Sequence, residues 1–167
     1  MMKKSIKELL IMAAVGITTL TGCLAKGTPA DDWIVSRYDS LADLKAYLEK
    51  LDDTVTLYLT SAIDSDTYLA NLKELDTEFC QLEVSIPDDT IKPGSMTETT
   101  AAAQEAYDDI WYNMETLLET MQTDRKVQNK DALSYLYLAY QTKLSEDFSK
   151  YAAGYNEVIK KREKDGS

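Results

Sequence analysis

Apolar residues recur at alternating three- and four-residue spacing through most of this chain. That period constrains the fold more than any other feature. From about residue 40 to 62 the apolar positions are Leu41, Leu44, Leu48, Leu51, Val55, Tyr58 and Ala62. Such spacing lays one apolar stripe along an α-helix. A second stripe over about 65–84 uses Tyr68, Leu72, Leu75, Phe79 and Leu82. A third, over about 97–123, uses Ala103, Tyr107, Ile110, Met114, Leu117 and Met121. The fourth, over about 130–164, uses Leu133, Tyr137, Tyr140, Leu144, Tyr151, Tyr155 and Val158. Asp147 and Gly154 stand where that last stripe calls for apolar side chains. No segment alternates with period two over a useful length, so no sheet is expected. Four amphipathic helices predict an all-α fold, an antiparallel up-and-down four-helix bundle.

The breaks between stripes support that division. Ser85 to Gly94 contains Pro87, Pro93 and Gly94, and no helix passes through it. Asp64-Ser65-Asp66 offers a cap for the second helix, and one unbroken helix over 40–84 would be about 68 Å long. A turn is therefore expected there. Between Met121 and Leu133 the stripe loses phase, which predicts another turn, with Asn129 capping the last helix. Ser40 with Asp43, and Ser95 with Glu98, have the spacing of capping pairs.

The first 23 residues follow a different logic. Lys3, Lys4 and Lys7 form a basic start, and an apolar run from Leu9 to Leu20 follows. About a dozen residues is the length of a signal-peptide core and is short for a helix that spans a bilayer. The run ends in Leu20-Thr21-Gly22-Cys23, which resembles the lipobox of bacterial lipoproteins. The resemblance covers residues 1–23 and implies a lipoprotein signal peptide over 1–22. It implies cleavage before Cys23 and acylation of the Cys23 thiol. Two or more acyl chains on one residue make anchoring stable, at roughly 0.8 kcal/mol per buried methylene. The implied location is the cell membrane, on its extracytoplasmic face. Residues 23–39 then read as the lipidated cysteine and a flexible tether, since Gly27 and Pro29 discourage regular structure. Trp33-Ile34-Val35 is less linker-like and is expected to dock on the domain or begin the first helix early.

Composition narrows the chemistry. The chain carries a net charge of −11, with no histidine and two cysteines. Loss of Lys3, Lys4, Lys7 and Glu8 with the signal peptide takes the charge to −13. That argues against nucleic acid as a partner. Without histidine there is no Ser-His-Asp triad, and one cysteine beyond Cys23 cannot build a zinc site of the usual kind. No phosphate loop or nucleophile motif is present. We therefore expect no catalytic residues, no metal and no cofactor.

The remaining candidates are aromatic and acidic. Of 11 tyrosines, Tyr137, Tyr140, Tyr151 and Tyr155 fall on the fourth stripe and read as core. Trp111, Tyr112 and Tyr135 fall off their stripes and read as a contact surface. The pairs Asp31-Asp32, Asp52-Asp53, Asp88-Asp89 and Asp108-Asp109 read as solvated surface, because neighbours on a helix diverge by about 100°. Cys80 follows the core position Phe79 and reads as a half-buried, inert thiol. These features suggest a non-enzymatic helical module that binds a protein or envelope component. The alternative is a small-ligand or cell-wall-fragment binder with a cavity where Asp147 and Gly154 interrupt the fourth stripe.

Overall fold

The computed structural model describes residues 27–84, 97–124 and 129–165. Cys23 and the motif before it lie outside the described residues, as do Ser95 and Asp88-Asp89. Five helices are present: α1 (Pro29–Ser36), α2 (Tyr38–Leu59), α3 (Ser65–Val84), α4 (Glu98–Thr123) and α5 (Lys130–Asp165). No strand occurs among the described residues.

The four long helices fall where the apolar period puts them. Leu41, Leu44, Leu48, Leu51, Val55 and Tyr58 are all buried on α2, and Tyr68, Leu72, Leu75 and Phe79 on α3. Each fully buried aliphatic side chain of this kind contributes roughly 1.5–3 kcal/mol. The predicted up-and-down order is the observed one. Tyr58 stacks on Tyr68, and Tyr47 meets Phe79, so α2 and α3 are antiparallel. Asn113 pairs with Asp147, and Gly154 lies against Ala103, so α4 and α5 are antiparallel. Tyr38 meets Tyr155 while Lys130 reaches Ser61, so α5 also runs against α2.

Three details of the ends differ from the sequence expectation. The α2 helix stops at Leu59 and not at Ala62, because the chain reverses through Ser61, whose φ is 63°. Ser40 does not cap α2. It lies inside the helix, where its hydroxyl donates to the Arg37 carbonyl at 2.8 Å and meets the Tyr107 hydroxyl at 3.0 Å. The box that starts α4 is Thr97 with Thr100. Asp64 and Asn129 do cap α3 and α5: their Oδ1 atoms accept from Thr67 and Asp131 backbone N–H groups at 2.9 Å.

The larger correction is α1. The stretch read as flexible tether is helical from Pro29 onward, and Trp33-Ile34-Val35 dock on the bundle as expected. Thr28 is its N-cap, Pro29 its first residue, and Asp31 completes a capping box. Ala30, Trp33 and Ile34 are buried. Proline at the first helical position is preorganised, since its missing N–H has no partner there in any helix.

Candidate functional site

The most elaborate assembly of side chains lies where α1 meets the C-terminal end of α5. Asp31 is only 2% exposed. Its Oδ2 accepts from the Thr28 backbone N–H at 2.9 Å and from Lys161 Nζ at 2.8 Å. Burial works to raise the Asp31 pKa, but the bonds from Lys161 and Thr28 outweigh it and hold it below the usual carboxylate value. The neighbouring Asp32 accepts from Arg162 Nη2 at 2.6 Å. Gly27 sits so close to this arginine that an added Cβ would come within 2.5 Å of Nη2.

Further along α1 the contacts become aromatic. The Trp33 ring meets Tyr107 edge-on at 5.3 Å between centroids. The buried Arg37 guanidinium lies 5.0 Å from the Trp33 ring centre and 6.0 Å from that of Tyr107. Such cation–π contacts contribute about 2 kcal/mol when desolvated. The Tyr151 hydroxyl donates to the Ile34 carbonyl at 2.5 Å. Residues more than 100 positions apart in the chain are thus locked together: 31 with 161, 32 with 162, and 34 with 151. Of the acidic pair expected as solvated surface, Asp32 is exposed while it pairs with Arg162, and Asp31 is buried in this clasp.

A second polar cluster lies in the seam between α4 and α5. Asp147, also 2% exposed, accepts from Asn113 Nδ2 at 3.3 Å and from Lys150 Nζ at 3.1 Å. Asn113 Oδ1 in turn accepts from Lys143 Nζ at 2.9 Å. The interruption of the stripe at Asp147 is therefore answered by a polar partner on the facing helix. Gly154 does not open a cavity. Ala103 fills the space, and an added Cβ would stand 2.5 Å from the Ala103 methyl carbon. The glycine is what lets α4 and α5 approach closely at this level.

The three aromatic residues read as a contact surface are not brought together. Trp111 is 8% exposed and belongs to the core, 5.5 Å from the Phe79 ring and 6.2 Å from that of Tyr107. Its position off the stripe misled because α4 buries a broad face, with Asn113 and Leu118 also inside. Tyr112 and Tyr135 are exposed, at 63% and 77%. Asn113 stands opposite Lys143 and Asp147, so Tyr135 lies roughly 12 Å or more along the axis from the level of Tyr112. Tyr135 has Leu138 as its exposed apolar neighbour one turn on. The stripe tyrosines behave as expected: Tyr137, Tyr151 and Tyr155 are buried, and Tyr140 packs against the core edge.

The remaining acidic pairs stay apart from one another. Asp52 accepts from Gln141 Nε2 at 3.4 Å. Burial and the adjacent Asp109 raise the Asp108 pKa, and Arg37 partly offsets them. Cys80 is exposed, not half-buried as its sequence position suggested. Among the described residues no three acidic or cysteine side chains gather as a metal site would require.

Sequence reasoning missed the α1 clasp. The signal was present in Thr28-Pro29-Ala30-Asp31, a cap residue, a proline at the first helical position and a carboxylate at the third. No protein-family model, curated protein or solved structure matches this chain.

Proposed function

We propose that this protein is a lipid-anchored, extracytoplasmic helical module that binds another protein or a component of the cell envelope without catalysing a reaction. The observation that carries the reading is the order of the first 23 residues: basic start, short apolar run, then Leu20-Thr21-Gly22-Cys23. Acylation of Cys23 would place the bundle at a membrane that it cannot cross by itself. Among the described residues no helix is long and apolar enough to span a bilayer. The bundle supports a binding role through its rigidity. Buried Asp31 is tied into the α1 clasp, and buried Asn113 and Asp147 into the α4–α5 seam, which favours one fixed surface.

The reading is tested by fractionating bacteria that express the full chain or Cys23→Ala. The wild type is expected in the membrane fraction. Cys23→Ala is expected outside it, with unchanged helix content after purification. Crosslinking on intact cells, followed by recovery of the wild type, is expected to yield one envelope protein that the displaced variant does not capture. Equal membrane recovery of the two chains would refute the anchor.

A further inference from the structure

The α1 clasp fixes where an anchor on Cys23 would enter the domain. Gly27 is already packed beside Arg162, at the C-terminal end of α5. Only Leu24, Ala25 and Lys26 separate it from Cys23 in the chain. Four residue steps span at most about 14 Å. Gly27 must therefore lie within that distance of the lipid-bearing residue, and the α5 end lies about one arginine side chain beyond it. The opposite end, with the α2–α3 turn and the start of α5, is about 54 Å away along the 36 residues of α5. It could reach the lipid only if the bundle lay on its side.

Charge decides between lying and standing. The chain from Cys23 onward carries −13, so a flank laid on anionic headgroups is repelled. The cations are not spread evenly. Exposed Lys160, Lys161 and Lys164 gather in the last two turns of α5, beside Arg162. Glu163 and Asp165 share those turns, and Asp31 and Asp32 pair with two of the cations. This end therefore offers near-neutrality where the flanks of the bundle are acidic. The far end carries Asp64, Asp66, Asp124 and Asp131 against Lys130, and Arg125 and Lys126 also fall between α4 and α5 in the sequence, so it is only slightly acidic and the large negative charge belongs to the flanks. With a screening length of about 10 Å at ordinary ionic strength, acids held some 50 Å above the lipid no longer feel it.

We propose that the bundle stands end-on against an anionic phospholipid surface, with α1 and the α5 C-terminal end on the lipid and the two far turns raised away from it. This orientation rests on the anchored reading of Cys23.

The test is energy transfer from one dye on the lipidated chain to acceptors in the headgroup plane. The bilayer is phosphatidylcholine with phosphatidylglycerol. Cys80→Ser removes the other thiol, and the dye is placed at Ala62→Cys or Ala153→Cys, both exposed and uncharged positions. Ala153 lies about 18 Å from the α5 end and Ala62 about 53 Å from it. Transfer is expected to be several-fold stronger from position 153. The contrast is expected to shrink when Lys160 and Lys164 are both changed to Glu, with helix content unchanged. Equal transfer from the two positions on a lipidated chain overturns the orientation alone. A chain recovered from bacterial membranes without lipid on Cys23 overturns the anchored reading, and this one with it.

Discussion

The two ends of the bundle are built differently. At the α1 end, residues 31 to 37 engage residues 107, 151, 161 and 162 through ion pairs, a bond to a backbone carbonyl, an edge-on ring contact and a cation–π contact. At the far end, closure is mostly local. Asp64 caps the helix that it precedes, Asn129 does the same for α5, and Ser61 makes the tight reversal. Lys130 reaches across, to Ser61 and over the Tyr58 ring at 4.8 Å. An end closed by local caps can fray without loosening the core. An end closed by contacts between distant segments opens cooperatively, and it joins the N-terminal segment firmly to the domain.

That contrast can be broken from the α1 end first. Trp33→Ala removes a buried ring that carries both Tyr107 and Arg37. It is expected to destabilise the protein by about 3–5 kcal/mol, read in urea unfolding. It is also expected to release amide protection throughout α1.

A smaller effect is expected from Asp31→Asn, and it carries a pH signature. The folded-state pKa of Asp31 is lowered, so its contribution is present above the unfolded carboxylate pKa of about 3.9 and is lost as pH falls through the folded value. The protection of α1 amides in the wild type, relative to their intrinsic exchange rates, is expected to fall through that acid range. In Asp31→Asn that protection is expected to be low already at neutral pH and to show less of the acid step.

At the far end the effects are local. Asp64→Ala removes a cap and is expected to cost about 1 kcal/mol, with faster exchange confined to the first turn of α3. The smallest change goes the other way. Ser61 holds a left-handed φ that glycine adopts without strain. Ser61→Gly is expected to stabilise by about 0.5 kcal/mol, roughly a 2 °C rise in Tm for a domain of this size. A cooperative loss of the whole bundle in Asp64→Ala, or local fraying alone in Trp33→Ala, would reverse the comparison.

The same contrast explains what could be read from the chain. The long helices were legible because each buries a stripe whose spacing survives in one dimension, as in Leu41, Leu44, Leu48 and Leu51. Asn129 and Asp64 were legible as caps because their bonds run to residues two or three positions on. The clasp was not, because nothing local tells Asp31 from a solvated aspartate until Lys161 is beside it. Trp111 was misread for a related reason. A helix packed on several sides buries more than one stripe, and the positions flanking the stripe reveal their burial only once the neighbours are in place. Asp147 and Gly154 stood out as interruptions, but their answers, Asn113 and Ala103, lie on another helix.

Anchoring of the bundle turns on Cys23. The most direct measurement is the intact mass of the protein extracted from the membranes of bacteria that express the full chain. The mass predicted is that of residues 23–167 plus an acylated glyceryl group on Cys23. A chain that still begins at Met1, or one cut before Cys23 with no lipid attached, would contradict it.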